Sequence, residues 1–509
     1  MSASLSKTSN HPNPPSHMKH GFILKKLIFK DFNRHINFRT ILPGLLILVG
    51  GFVSCSGNEK EASESPNIVL INLDDMGYGD ITLTGATDYD TPHLDKMASE
   101  GVVFTHFYTP QAVCSASRAG LLTGCYPNRI GFHGALDHTA DVGINPEETT
   151  IAEMLKEEGY ATATYGKWHL GHREKFLPLQ HGFDEFHGIP YSNDMWPNHP
   201  QAGDYYPPLP LYEDNEVIEE DPDQRFFTRD FTQRTIDFIR DNQNKPFFVY
   251  LAHPMPHVPL FTSPAFEDTS NQGKYGDVMM ELDNNVGQIN QTLEDLDLEE
   301  NTLVIFMSDN GPWLNYGNHA GSSGGLREGK GTTFEGGQRV PCIMKWEGQI
   351  EGGRINNGLT SAIDILPTLA SITGAELPER KIDGIDISKL MTGESENSPR
   401  KTFLYYYRQN NLQSVRKGKW KLVFQHRGRT YEGYQPGNDG MPGKAREDEL
   451  FEKGLYNLRR DPGERYNVLE HYPEVVAELE EVAEKAREDL GDDLTGAEGN
   501  NRRPIGRVE

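Results

Sequence analysis

The sequence predicts an α/β fold: a large, mostly parallel sheet sandwiched by helices, followed by a smaller C-terminal α+β domain with an antiparallel sheet. Three observations predict it. Short apolar runs rich in β-branched residues recur, and each stops in charged or polar residues. Helical stretches closed by glycine lie between them. Past Pro399 the pattern changes to closely spaced strands and one long amphipathic stretch. The 509 residues suffice for one large domain and a smaller one, and their 51 glycines and 32 prolines are spread as in a loop-rich enzyme.

The N-terminus reads as a targeting segment. Lys25, Lys26, Lys30, Arg34 and Arg39 precede an apolar run from Ile41 to Val53 that stops at Ser54-Cys55. The run is too short to span a bilayer and has the flanks of a signal peptide. A small residue followed by cysteine resembles a bacterial lipoprotein cleavage site. Residues 1–55 are therefore expected to be a signal peptide, with Cys55 the lipidated first residue of a protein held in the periplasm or at the outer membrane. The alternative is an ordinary signal peptide with an incidental cysteine. Residues 56–66 are polar and acidic and read as a tether.

From residue 67 to 373 the spacing predicts the sheet domain. Asn67–Leu73 ends in Asp74-Asp75; the run from Ala161 to Tyr165 ends in Gly166-Lys167-Trp168-His169. The run from Phe247 to Ala252 leads into His253 and His257, and Thr302–Ser308 into Asp309-Asn310-Gly311. Helices are predicted from Pro92 to Glu100 and from Thr149 to Glu158. A lone strand-end Asp usually starts a turn. Four polar strand ends at one edge have another meaning, because α/β sheets bind ligands beyond the carboxyl ends of their strands. Asp74, Asp75, Asp309 and Asn310 offer hard oxygen ligands for Ca²⁺, with Mg²⁺ the alternative; zinc would want His or Cys.

Cys114-Ser115-Ala116-Ser117-Arg118 opens a further predicted helix, with Cys114 at or near the N-cap and Arg118 on the same face four residues on. A helix N-terminus beside an arginine is an anion site. At this point the chain resembles the formylglycine-dependent sulfatases, a branch of the alkaline phosphatase superfamily, through Cys-x-Ala-Ser-Arg and the apolar helix ending in Thr123-Gly124. The likeness extends over the stretches 72–80, 166–171, 308–312, 329–337 and 455–464, and 182–193 is similar to the arylsulfatase A and galactosamine-6-sulfatase branch.

The resemblance implies an alkaline-phosphatase-like sheet and oxidation of Cys114 to formylglycine (3-oxoalanine). The hydrate carries two hydroxyls on one carbon, so one attacks sulfur and the other expels sulfate by re-forming the aldehyde. Asp74, Asp75, Asp309 and Asn310 would hold the cation together with residue 114. Arg118 and Lys167 would orient the hydrate, and His169 would take the proton that triggers sulfate release. Lys330 and His257 would stabilise and protonate the leaving oxygen. Arg118, Lys167 and Lys330 are expected to supply the local positive field. Ala116 stands where the commonest signature has Pro, so the activating partner is a formylglycine-generating enzyme or a radical-type sulfatase-maturating enzyme. The implied substrate is a sulfated glycan of ulvan, carrageenan or glycosaminoglycan type. Competing readings are an aryl sulfatase, a phosphate or phosphonate monoester hydrolase, and a non-catalytic glycan-binding lipoprotein with unmodified Cys114.

Residues 374–490 are expected to form the second domain. Strands from Thr402 to Tyr407 and from Gln413 to Phe424 turn at Lys417-Gly418, a loop fills 428–446, and a helix runs from Pro473 to Leu490. Residues 491–509 read as a flexible tail. Cys125 and Cys342 are left to pair or stay free. His253, Asn193, Asp194 and His199 are open between lining the substrate mouth and plain packing or solvation; Trp168 reads as core. The formal net charge of −26 excludes nucleic acid as a partner and leaves the lipid anchor as the only membrane contact.

Overall fold

A strand whose residues are all buried must be covered on both faces. Asn67–Leu73 (β1) is such a strand, and its alternate residues serve two cores: Ile68 and Leu70 face one, Val69, Ile71 and Leu73 the other. The computed structural model describes residues 65–508, so the expected signal peptide, Cys55 with its lipidation, and nearly all of the tether lie outside the described residues.

The remaining sheet strands are Val102–Tyr108 (β2), Ala161–Lys167 (β3), Glu185–Ile189 (β4), Pro210–Glu213 (β5), Glu216–Glu220 (β6), Phe247–Ala252 (β7), Thr302–Ser308 (β8), Arg339–Lys345 (β9), Arg354–Asn356 (β10) and Thr360–Ser361 (β11). Their order is β10-β2-β9-β8-β1-β7-β3-β4-β5-β6, with β11 pairing on β2. The centre is parallel: β8-β1, β1-β7, β7-β3 and β3-β4, with Leu70 opposite both Ile305 and Tyr250. Antiparallel pairs flank it at β9 and at β5-β6.

Helices cover both faces. Pro92–Ser99 (α1) starts at a proline, while Cys114–Thr123 (α2) is buried along its whole length. Ile151–Glu157 (α3) opens with a capping box between Thr150 and Glu153. Phe227–Asp241 (α4) and Lys274–Asp295 (α5) join α1 over one face; α2, α3 and Ile365–Thr373 (α6) cover the other.

The C-terminal domain has Thr402–Tyr407 (β12), Asn411–Lys417 (β13), Trp420–Val423 (β14), His426–Thr430 (β15), Arg446–Phe451 (β16) and Gly454–Asn457 (β17). An antiparallel sheet runs β12-β13-β14-β17, and Pro473–Leu490 (α7) packs on it through Leu479, Ala483, Ala486 and Leu490. The tight turn is Gly418-Lys419, one residue later than expected, because Lys417 still pairs with Trp420. The stretch read as one loop is entered and left by strands: β15 and β16 form a two-stranded ribbon, leaving 431–445 as the loop.

The tail is a correction. Its Gly, Asn, Asp and Arg content suggests fraying, yet its polar groups find partners on the large domain. Arg503 reaches Glu148 twice, at 2.7 and 2.6 Å, and Gly506 pairs with Gly143. Asp492 is fully buried and accepts from the Leu412 amide and from Arg487. Cys125 and Cys342 are both free. Among the described residues no helix is long and apolar enough to cross a membrane.

Removing Arg503 leaves the Glu148 carboxylate buried with only Arg380 nearby. Arg503→Ala is expected to cost roughly 2–3 kcal/mol, below the full cost of stripping a buried ion because Arg380 stays. Urea unfolding of the mature protein measures this; a loss under about 0.5 kcal/mol would show that tail docking adds nothing to stability.

Candidate active site

Leu73 and Ser308 are in register at the ends of β1 and β8, so the acids that follow them are neighbours. The Asp309 amide donates to the Leu73 carbonyl at 3.0 Å, and the Asp75 amide to Asp309 Oδ1 at 3.3 Å. Two strands away, Lys167 closes β3. A Cβ at Gly166 would stand 2.1 Å from the Ala252 carbonyl oxygen, and its φ of +107° suits glycine alone, so β3 and β7 stay paired up to the sheet edge that carries Lys167. Asp75 (φ 64°) and His169 (φ 61°) adopt left-handed backbone, at roughly 1–2 kcal/mol each. Such strain persists only where the surroundings over-determine it.

Cys114 is the first residue of α2, and its thiol lies with Asp74, Asp75 and His257 in a buried group whose ligand atoms are all within 4.8 Å of one another. Around it the ion pairs interlock. Lys167 Nζ bonds Asp74 Oδ2 and the Ser192 hydroxyl, the latter at 3.0 Å. Arg118 meets Asp309 Oδ2 with Nε and Nη2, both at 2.8 Å, and donates from Nη1 to the Lys167 carbonyl at 2.8 Å. Lys330 Nζ lies 2.7 Å from Asp75 Oδ1, and Asn310 Nδ2 donates to that same oxygen at 2.7 Å. His257 Nε2 is 3.6 Å from Asp75 Oδ2.

Burial alone would raise Asp74, but Lys167, then His257, Arg118 and Lys330 hold its carboxyl well below the usual range. Asp309, buried beside Asp74, is pushed up to about 7 in spite of Arg118. Lys330 stays charged, its loss of water outweighed by Asp75. His169 is driven well down by burial and then by Lys167, and His257 down by burial and then by Lys330. Burial, then Asp74, push Cys114 up to about 12, so the unmodified thiol is a poor nucleophile at neutral pH.

The expected positive field needs a correction. Arg118, Lys167 and Lys330 are each answered by a carboxylate, Asp309, Asp74 and Asp75 respectively. Side chains alone therefore balance, and a bound cation is what would leave the site positive toward an anion. The residues fit one: Asp74 Oδ1 and Asn310 Oδ1 are buried without a hydrogen-bond partner. Leaving a buried polar atom unmet costs about 1–3 kcal/mol, which an oxygen-seeking cation would offset.

The other candidates divide. Trp168 is core, with Nε1 donating to the Phe176 carbonyl at 2.7 Å. Asn193 is fully buried and tied to Gln224, and His199 caps its own loop by accepting from Gln201 and Ala202. His253 is buried with Nδ1 unmet, and burial pushes it down to about 3. Asp194 is half-buried near His257. Sequence reading missed Ser192, the hydroxyl under Lys167, and Trp313, whose ring lies 4.6 Å from Lys330 Nζ and 5.5 Å from the His257 ring. An aromatic three residues beyond the Asn310 strand end was the available signal.

Known proteins match this chain throughout the described region. The family profile described as Sulfatase matches residues 66–375, and one described as C-terminal region of aryl-sulfatase matches 398–505. N-acetylgalactosamine-6-sulfatase of Canis lupus familiaris is 38% identical over 458 residues, covering 83% of this chain and 84% of the relative. Arylsulfatase A of Homo sapiens is 40% identical over 430 residues, covering 79% and 83%. The crystal structure of a Pseudoalteromonas sp. sulfatase superposes with a TM-score of 0.74 at 27% identity, covering 83% of this chain and 90% of the other.

The unmet oxygens predict stabilisation by divalent cations. At 100-fold excess over its dissociation constant the cation should add about 2.7 kcal/mol. Thermal unfolding of chelator-treated protein, with and without added cation, reads this as a rise in Tm, and Asp74→Ala should abolish the rise. An equal rise in that variant would place the cation elsewhere.

Proposed function

The chain belongs to the sulfatase family and is a sulfuric ester hydrolase; from that premise we propose that it removes sulfate from a sulfated carbohydrate, using formylglycine made from Cys114 and a bound Ca²⁺. The observation that carries the reading is the grouping of Cys114 with Asp74, Asp75 and His257, enclosed by Arg118, Lys167 and Lys330. The inert thiol supports modification, since an unmodified Cys114 in this setting is neither ionised nor exposed.

Asp74, Asp75, Asp309 and Asn310 would hold the cation with residue 114, the Cys114 sulfur standing where the formylglycine oxygens would be. Oxygen donors and an amide favour Ca²⁺ over Zn²⁺, with Mg²⁺ the alternative. When bound there, the cation would supply Lewis-acid polarisation of a sulfate oxygen and a lowered pKa for the attacking hydroxyl. Formylglycine supplies the hydrate, whose second hydroxyl lets sulfate leave without hydrolysis of a stable ester.

Arg118, locked by Asp309 and the Lys167 carbonyl, orients residue 114 from the same helix face. His169 Nε2 lies 2.8 Å from the Leu136 carbonyl, an acceptor, so Nε2 carries the proton and the buried, unpartnered Nδ1 holds the lone pair of a base. His257 donates from Nδ1 to the Val258 carbonyl, which turns Nε2 toward Asp75 and the site. Nε2 must take up a proton before it can give one to the leaving oxygen, and an incoming anionic ester favours that uptake. Lys330 adds a fixed ammonium beside it.

The sugar assignment rests on the relatives' printed name, N-acetylgalactosamine-6-sulfatase, and on Trp313, a partly exposed aromatic beside Lys330 and His257. The expected lipid anchor at Cys55 would hold the enzyme outside the inner membrane, where such glycans are met, after a maturase has acted on Cys114.

Two outcomes test the reading. A peptide map of active protein is expected to carry residue 114 as the aldehyde, and Cys114→Ala should keep the fold and lose turnover; a map with free thiol alone overturns the nucleophile. His257→Ala should lower kcat/KM on a sugar sulfate on the order of 10²–10⁴-fold and on nitrophenyl sulfate far less, because a nitrophenolate leaves without help. Equal losses would move the acid to Lys330.

A further inference from the structure

In a chain of formal net charge −26, the lining of one cleft carries seven lysines and arginines against a single acid. It has a volume of about 980 Å³, lies where the β10 edge and the segment 356–359 meet the C-terminal domain, and shares no lining residue with the candidate active site. Its floor is built from buried arginines that already have partners. Arg400 pairs with Asp364 through Nε at 2.8 Å, and Arg416 and Arg339 sit 3.9 and 4.0 Å from Glu335. These three are 4 to 7% exposed; Arg400 and Arg416 tie the second domain to the first, while Arg339 pairs within the first.

The rim differs. Lys401, Lys419 and Arg459 line the cleft and are exposed, and among the described residues none pairs with a carboxylate. Lys417 beside them is answered by Glu478. The only acid in the lining, Glu396, leans to Arg354 at 3.5 Å. Burial, then Arg339 and Arg416, push His106 down to about 3, as a positive surrounding does. Ile355, 62% exposed, and Pro462 add apolar surface of the kind sugar ring faces pack on.

We propose that this cleft is a second binding site for a sulfated polysaccharide chain, with Lys401, Lys419 and Arg459 contacting its sulfates away from the reacting ester. The proposal rests on the sulfated-carbohydrate reading above. Three rim cations that no carboxylate answers attract a polyanion that the acidic remainder of the surface repels. Uncoupled from chemistry, the site would raise local substrate concentration by linking two modest contacts through one chain.

The test compares wild-type protein with the triple variant Lys401→Glu, Lys419→Glu, Arg459→Glu, all three exposed positions, with thermal unfolding confirming that the variant stays folded. Affinity electrophoresis uses chondroitin sulfate, carrageenan and ulvan, each beside its chemically desulfated form. Wild type should be retarded by at least one sulfated polymer and not by its desulfated form. The variant should lose roughly 10-fold in apparent affinity, from three exposed ion pairs of about 0.5 kcal/mol each. Its turnover of nitrophenyl sulfate should stay within about twofold while KM on polymer rises. Equal retardation of both proteins, or of sulfated and desulfated chains, overturns the proposal, as does stronger retardation by double-stranded DNA or anionic vesicles. Cys114→Ala protein that binds polymer keeps the cleft even if no sugar sulfate is hydrolysed. Sulfate release by a triple variant with unchanged polymer binding and KM removes the cleft and leaves the enzyme reading intact.

Discussion

Charge neutrality in a dry place governs this molecule. Asp74, Asp75 and Asp309 are at most 3% exposed, as are Arg118 and Lys167, while Lys330 is 5%. Isolated charges so buried cost several kcal/mol apiece, so each is tolerated only because an opposite charge is held at contact distance. That need dictates the chain ends of β1, β3 and β8 and the first turn of α2. It also leaves Asp74 Oδ1 and Asn310 Oδ1 with nothing to accept, a gap that an oxygen-seeking cation would fill.

Holding Lys330 at Asp75 requires the second domain. The Tyr431 hydroxyl donates to the Lys330 carbonyl at 2.6 Å, and Glu328 accepts from Thr430 and from the Tyr431 amide. Five residues beyond Lys330, Glu335 is fully buried among Tyr108, Tyr405 and Lys421, and Lys421 also meets Glu464 at 2.8 Å. Burial would raise Glu335, but Lys421, Arg416 and Arg339 bring it down to about 2. The small domain is thus a clamp on the loop that carries the lysine, and the glycines of 329–337 let that loop pass close to other backbone: a Cβ at Gly336 would stand 2.1 Å from the Glu328 carbonyl oxygen. The same network forms the floor of the basic cleft, so domain docking and polyanion attraction draw on shared arginines.

The histidines show how hydrogen bonding sets chemical role. His169 and His257 each spend one ring nitrogen on a main-chain carbonyl, at Leu136 and Val258. That choice leaves Nδ1 of His169 and Nε2 of His257 free of main-chain bonds, one buried without a partner and one facing Asp75. His253, four residues from His257 in the chain, has no such anchor and is held neutral by burial.

Local pattern alone determined the strands and where they stop. Asn67–Leu73 and Thr302–Ser308 are legible because a buried parallel strand is written in consecutive apolar residues, and the acids that follow mark its end. The helix from Cys114 and the one from Pro473 are legible by spacing, and the Cys114-to-Arg118 signature pointed to the family before any geometry. Tertiary structure decided the rest, because it concerns residues far apart in the chain. Which carboxylate answers which cation depends on contacts such as Lys330 with Asp75, separated by 255 positions, and no local period encodes them. The same holds for Trp313 beneath Lys330, for Ser192 beneath Lys167, and for the balance that leaves the site without net positive charge. The tail reads as solvated because its residues are polar. It is folded because Glu148, Gly143 and Asn410 supply partners that only the completed fold brings within reach.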